Sequence, residues 1–193
     1  MKTFVYMVRH GDSPKKGSER SRGLSETGLT DVKRITEILK KEGIQMIVSS
    51  PYRRAVLTVE PLAKIIGEEV VIFENLKERV FSSEENRVAD KQLMPLLEKS
   101  FEDSNYALEG GESNEDCQLR AVAALREIVS TFGGQKIAIG THGAVMTLMM
   151  GYFDEKYYSL EFLHSTTKPD IYRMEFEGER LVAVDRLWPH LEG

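Results

Sequence analysis

Four short apolar runs, each bounded by polar residues or glycine, restrict this chain to few architectures. They are Phe4-Val5-Tyr6-Met7-Val8, Met46-Ile47-Val48, Val70-Val71-Ile72-Phe73 and the Ile137-Ala138-Ile139 core of Lys136–Gly140. Short, continuous and rich in β-branched residues, they predict strands buried on both faces. Between them, apolar residues recur at helical spacing. One stripe is Leu29, Val32, Ile35, Ile38 and Leu39. A second is Ala55, Val56, Val59, Leu62, Ala63 and Ile66. A third is Leu119, Val122, Ala123, Leu125, Ile128 and Val129. Strands alternating with helices imply a three-layer α/β/α fold: a mostly parallel central sheet with helices on both faces.

Local signals refine that frame. Ser25 is placed to cap the first helix, and Gly43 to end it after Lys40-Lys41. Ser50 reads as the next cap, with Pro51 at the first helical position. Pro61 predicts a kink or a break. Residues 86–101 carry helical period through Val88, Leu93, Leu96 and Leu97, with a break expected at Pro95. Ser113, with Asp116 three residues on, reads as a capping-box analogue. Residues 144–151 form a short apolar helix whose methionines read as core filler. Ile171–Phe176 and Arg180–Val184, joined by Glu177-Gly178-Glu179, predict an edge hairpin. Trp188 should pack against the fold, and His190 should be exposed.

The 193 residues contain no repeat, linker or low-complexity tract, so one domain over 1–193 is expected. Net charge is −5 and there is no long basic run, which argues against nucleic acid or an anionic membrane as partner. Cys117 is the single cysteine, which excludes an internal disulfide and a cysteine metal cluster. The N-terminal apolar run is too short for a signal-peptide core or a transmembrane helix. A cytoplasmic protein is the expectation, with its oligomeric state left open.

Ligands of open α/β sheets bind beyond the carboxyl ends of the strands. Here the first strand delivers Arg9 and His10, the second Arg53 and Arg54, and the fourth His142. Gly11 lets the backbone turn sharply beside them. A guanidinium fork fits phosphate oxygens and an imidazole can attack phosphorus. Such a pocket suits a phosphoryl group, whose transition state spreads charge over oxygens that fixed donors stabilise. The Arg9-His10-Gly11 tripeptide alone is a weak signal; its convergence with the other strand ends is the stronger one. Lys15, Lys16, Arg20 and Arg22, in the polar loop that follows, could each reach a second anionic group, although a solvated loop is the blander reading. His164 could approach the pocket from the last crossover.

Val8-Arg9-His10-Gly11, Leu24-Ser25-Glu26-Thr27-Gly28, the Ser49–Thr58 segment SSPYRRAVLT, Leu76-Lys77-Glu78, Gly111-Glu112-Ser113 and Thr141-His142-Gly143 together resemble the histidine phosphatase superfamily, which includes the phosphoglycerate mutase-like enzymes. The resemblance spans most of the chain and implies the phosphoglycerate mutase-like fold and a set of roles. His10 would be the nucleophile that becomes phosphohistidine. Arg9, Arg54 and His142 would hold the phosphoryl oxygens. Glu78 would protonate the leaving oxygen and then activate water. In the family pattern the catalytic arginine directly precedes the alanine, which selects Arg54; the residues alone do not separate it from Arg53. The family uses no metal, and no cofactor or metal is expected here. The partner is a small phosphorylated substrate.

Glu78 has the least support from residues alone, because a glutamate within Lys77-Glu78-Arg79 is ordinarily a solvated surface group. Nearby arginines would oppose its acid form, and a bound phosphate would favour it. The sequence also departs from the mutases of the family. Asp12-Ser13-Pro14-Lys15-Lys16 replaces their Glu-Ser-x-Trp-Asn, and Arg79-Val80-Phe81-Ser82 replaces Arg-His-Tyr-Gly. The stretch between Glu78 and Gly111 is shorter. These differences favour phosphomonoester hydrolysis. The alternatives are mutase-type phosphoryl transfer and a catalytically silent phospholigand-binding domain of the same fold.

Overall fold

The computed structural model describes residues 1–189; His190 lies outside them. Six strands form one sheet: β1 (Lys2–Arg9), β2 (Met46–Ser49), β3 (Val70–Ile72), β4 (Lys136–Thr141), β5 (Asp170–Glu177) and β6 (Arg180–Arg186). Their order is β3-β2-β4-β1-β5-β6. The first four are parallel. β5 and β6 are the expected hairpin, antiparallel to β1 and to each other, at one edge. The helices are α1 (Glu26–Lys40), α2 (Arg53–Ile66), α3 (Asp90–Glu102), α4 (Asn114–Thr131), α5 (Gly143–Phe153) and α6 (Leu160–Ser165).

Alternation along β1 builds the three layers. Val5 and Met7 face a cluster that includes Leu125, Ile128, Val145 and Met149 of α4 and α5. Tyr6 and Val8 face the other way, into Ile35, Leu39, Val59 and Leu62 of α1 and α2. Both faces of the sheet are therefore covered along β1, β2 and β4, which is why these strands read as continuous apolar runs; β3, expected to be buried on both faces, is instead an edge strand with Val71 and Ile72 37% and 48% exposed. Met146, Met149 and Met150 are fully buried, and Trp188 packs into the α1/α2 side beneath the Arg34 guanidinium, 4.7 Å from its ring centroid.

Register brings the strand ends level. Arg9 pairs with Thr141, and Ser49 with Gly140. The residues just past these pairs, His10, Ser50 and His142, fall on one edge.

Several local expectations are corrected. Leu29 and Leu119 are 51% and 62% exposed, and Ala123 is exposed. In α4 Val122, Leu125, Ile128 and Val129 are buried as expected, together with Cys117, Ala121 and Ala124; Leu119 and Ala123 each stand two residues from Ala121, about 200° around the helix, and so point outward. Ser50 does not cap α2. Tyr52 occupies that position, and Pro51 precedes it. The Ser50 hydroxyl accepts the Tyr52 N–H instead, at 3.2 Å, and meets His142. α2 and α3 continue through Pro61 and Pro95 without a break. α3 begins at Asp90, so Val88 lies on its approach, after a 3-10 turn at Glu84–Asn86. Ser25 caps α1 as expected, accepting the Gly28 N–H, and Ser113 caps α4 by accepting the Asp116 N–H.

Candidate active site

His10 lies just past β1 and is 4% exposed. Its Nδ1 is 2.7 Å from the Gly11 carbonyl oxygen. A carbonyl only accepts, so Nδ1 carries the proton and Nε2 keeps its lone pair. The Arg54 Nε–H donates to that Nε2 at 3.3 Å. Burial, and then the Arg54 charge, push the His10 pKa well below the usual histidine range. The ring is a neutral base at neutral pH, as nucleophilic attack requires.

His142 is fully buried at the N-cap of α5. Its ring centroid is 5.2 Å from that of His10. Nε2 is 2.7 Å from the Ser50 hydroxyl oxygen. That oxygen also accepts the Tyr52 N–H, and its second lone pair and its proton leave it able to accept from Nε2 or to donate to it. The His142 Nδ1 is buried with no hydrogen-bond partner among the described residues. Burial and Arg54 also depress this pKa strongly.

The arginines come from two strand ends. Arg54, in the first turn of α2, is 1% exposed, whereas Arg53 is exposed; the helix turns one inward and the other out. Besides reaching His10, Arg54 donates through Nη1 to the Glu19 carbonyl at 2.6 Å and through Nη2 to the Glu19 carboxylate at 3.0 Å. Arg9 donates through Nη1 to the Thr166 hydroxyl at 2.5 Å. Its Nε is buried and unpartnered among the described residues. Gly143 makes room for it: a Cβ there would stand 2.6 Å from the Arg9 guanidinium carbon.

Glu78 is no solvated surface group. Its Oε1 accepts the Arg79 N–H at 2.7 Å and the Val145 N–H at 2.8 Å, and its Oε2 accepts the Ala144 N–H at 3.1 Å. It therefore caps the start of α5, where exposed N–H groups and the helix dipole favour a carboxylate. His142 is the residue that begins the same helix, so the carboxylate and the imidazoles are held on one frame. The other carboxylates nearby are occupied elsewhere. Asp12 accepts the Ser25 hydroxyl at 2.6 Å, and Glu112 binds Arg120 and the Val80 N–H.

The five residues singled out from sequence, Arg9, His10, Arg54, Glu78 and His142, thus converge. Arg9, His10, Arg54 and Glu78 line one cleft, and Lys15, Arg20, Arg22 and His164 line it as well. Lys15 pairs with Asp90, Arg20 with Glu74, and Arg22 with Glu19. Sequence reasoning passed over Ser50, Thr166, Glu19 and Lys168. Ser50 had a usable signal, because it directly follows a strand that points at the site. Thr166 and Lys168 precede an antiparallel strand, whose incoming end lies beside the outgoing end of β1, and no rule about outgoing ends reaches them.

A buried imidazole pair between buried arginines, at the carboxyl edge of parallel strands and facing a backbone-held carboxylate, defines a phosphoryl-handling α/β enzyme. The chain belongs to the histidine phosphatase superfamily, branch 1, whose family model matches residues 5–187. It is 28% identical over 160 residues to a probable phosphoglycerate mutase of Photorhabdus laumondii, covering 76% of this chain and 73% of that one. It is 32% identical over 158 residues to a metal-independent phosphoserine phosphatase of Arabidopsis thaliana, covering 75% of this chain and 66% of that one. Its fold matches that of a mycobacterial glucosyl-3-phosphoglycerate phosphatase with a TM-score of 0.79, at 20% identity and over 96% of this chain and 97% of that one. No helix among the described residues is long and apolar enough to cross a membrane.

Proposed function

We propose that this protein hydrolyses phosphomonoesters through a phosphohistidine on His10, without a metal. The observation that carries the reading is the His10 ring. Its proton is held on Nδ1 by Gly11, and its Nε2 lone pair is presented beside Arg54 in a buried site.

The substrate phosphoryl group is held by Arg9, Arg54 and His142. His10 Nε2 attacks phosphorus and the ester P–O bond breaks. Glu78 passes a proton to the leaving oxygen. The positive charge on the phosphorylated ring is eased by the Nδ1–H bond to Gly11. Water then attacks phosphorus while Glu78 takes its proton, the P–N bond breaks, and phosphate leaves with His10 neutral again. The donors are fixed before the reaction, so they stabilise the transferring group without reorganising. The single buried cysteine fits a reducing cytoplasm, and the domain is read as one unit over the whole chain.

The test is a screen of phosphomonoesters with and without EDTA. Phosphate release that survives EDTA supports the reading. Interconversion of phosphoglycerates without phosphate release would make the protein a mutase. Tight phosphate binding without turnover would make it a silent binding domain.

A further inference from the structure

The His142 ring has one polar partner among the described residues. It is fully buried, its Nε2 lies 2.7 Å from the Ser50 hydroxyl oxygen, and its Nδ1 meets no donor or acceptor. His10 and Tyr52 pack against it edge-on, each with its ring centroid 5.2 Å away. Those contacts fix where the ring lies but not which nitrogen carries the proton.

Ser50 is itself fixed. It is 0% exposed and directly follows β2, whose Ser49 pairs with Gly140 of β4, the strand that leads to His142. Its N–H donates to the Gly140 carbonyl at 2.9 Å, and its carbonyl accepts the Ser49 hydroxyl at 2.8 Å. Its hydroxyl oxygen accepts the Tyr52 N–H at 3.2 Å. Among the described residues, His142 Nε2 is then the one group that can accept the Ser50 hydroxyl proton.

The two tautomers of His142 differ in what they leave unpaired. With the proton on Nε2, the ring donates to Ser50, the buried Ser50 O–H has no acceptor, and Nδ1 is a bare lone pair. With the proton on Nδ1, Ser50 donates to Nε2 and all its polar groups are satisfied; only the Nδ1–H is unpaired. A buried donor without an acceptor is unfavourable, so the second arrangement is preferred. Accepting the Tyr52 N–H also polarises the hydroxyl and strengthens it as a donor. A phosphoryl oxygen can accept from an Nδ1–H, whereas it would be repelled by a lone pair.

We infer that Ser50 is a positioning residue: its hydroxyl donates to His142 Nε2 and so holds the tautomer whose Nδ1–H can bind the phosphoryl group. The inference rests on the proposed phosphatase reading for the place of that group. The two imidazoles are then set from opposite sides. At His10 an acceptor, the Gly11 carbonyl, takes the Nδ1–H and frees the Nε2 lone pair. At His142 a donor occupies Nε2 and frees the Nδ1–H.

Nitrogen-15 NMR of the histidines in the whole protein reads the tautomer without turnover. The His142 signals, identified by their loss in His142→Gln, should show Nε2 unprotonated and Nδ1 protonated near neutral pH. In Ser50→Ala that pattern should give way to the Nε2–H form or to an average of both. By calorimetry, Ser50→Ala should bind inorganic phosphate at least about tenfold more weakly, the scale of a hydrogen bond to a charged group. In the His142→Gln background the same substitution should change phosphate affinity by less than about twofold, because Ser50 acts through the ring. A protonated Nε2 in the wild type would overturn the inference, even if Ser50→Ala did not fold. So would a smaller loss in Ser50→Ala, an unchanged tautomer in that variant, or a loss above about twofold in the His142→Gln background. A failure of the phosphatase reading shows separately: the tautomer and the phosphate affinities stand, but no phosphomonoester releases phosphate.

Discussion

The Arg54 side chain touches His10 through Nε and Glu19 through both terminal nitrogens. One buried guanidinium thus orients the His10 ring while a loop carboxylate orients the guanidinium. The loop acid is itself shared with Arg22 and Arg87, so Arg54 is anchored from outside the pocket and needs no substrate to hold its place.

His10→Ala removes the proposed attacking atom but leaves Arg9 and Arg54 to bind anions. Turnover should vanish while phosphate binding persists. Wild-type enzyme quenched during turnover should carry acid-labile, alkali-stable phosphate, and the variant none. Activity above a trace in His10→Ala would rule out covalent catalysis through this ring.

Arg54→Ala should cost about 3–4 kcal/mol of transition-state stabilisation, the scale of a lost oxyanion donor. Arg53, exposed on the opposite side of the first turn, should tolerate alanine with a change in kcat/KM of less than about threefold, in keeping with surface substitutions within about 0.5 kcal/mol. Comparing kcat/KM for the two variants checks the direction each side chain takes.

Gly143→Ala places a methyl group 2.6 Å from the Arg9 guanidinium carbon. The far end of a side chain can yield where backbone cannot, so the fold should survive and Arg9 should shift. Misplacement of a positioning group by about 1 Å can cost about 10²-fold. The expected outcome is a loss of that order in kcat/KM with a nearly unchanged Tm. A large drop in Tm would mean that the backbone moved instead.

The two histidines make stability depend on pH. Burial holds both well below the usual histidine pKa of about 6.5 in the folded state, so below about pH 6.5 the unfolded chain binds protons that the folded chain does not. Stability is fully present above that pH and falls as the pH drops. Each histidine contributes about 1.4 kcal/mol per pH unit, about 2.7 for both. Urea unfolding should show a total fall of about 2.7 kcal/mol between pH 7.5 and 5.5, most of it below pH 6.5 and above the range where the paired carboxylates titrate. His10→Gln/His142→Gln should flatten it. A wild-type slope near zero would mean that the rings charge in the folded state.

Much of this was legible in the sequence because it follows from periodicity. A strand buried on both faces has to be apolar throughout, and parallel strands have to deliver their ends together, so His10, Arg54 and His142 could be placed near one another. Glu78 could not be. Nothing in Lys77-Glu78-Arg79 shows that the carboxylate folds back onto the N–H groups of Ala144 and Val145, because that contact joins segments 66 residues apart. Glu19 is hidden for the same reason: a glutamate in a polar loop looks solvated until three arginines are seen around it. Leu119 failed differently. Its helix is amphipathic around a small-residue stripe, Cys117, Ala121 and Ala124, and the larger leucine drew the prediction although it stood on the wrong side.

Glu78 is held by three backbone N–H groups, and whether it is an acid or only a structural cap can be decided by the leaving group. A poor leaving group such as a sugar alkoxide needs a proton in the transition state. A good one such as p-nitrophenolate departs as an anion and needs it far less. Glu78→Gln keeps the size and one carbonyl acceptor for those N–H groups, and it removes the transferable proton. In single-turnover measurements the variant should lose about 10²–10⁴-fold more rate with an alkyl phosphate than with p-nitrophenyl phosphate, the usual range of general acid help. With the aryl ester, hydrolysis of the phosphorylated His10 should then limit turnover, because in the proposed mechanism Glu78 also activates the water. A burst of nitrophenol equal to the enzyme concentration should precede a slow steady state. If both leaving groups slow equally and no burst forms, Glu78 only caps α5, and the acid has to come from another group. Asp12 and Glu112 are poor replacements, because the first is bound to Ser25 and the second to Arg120.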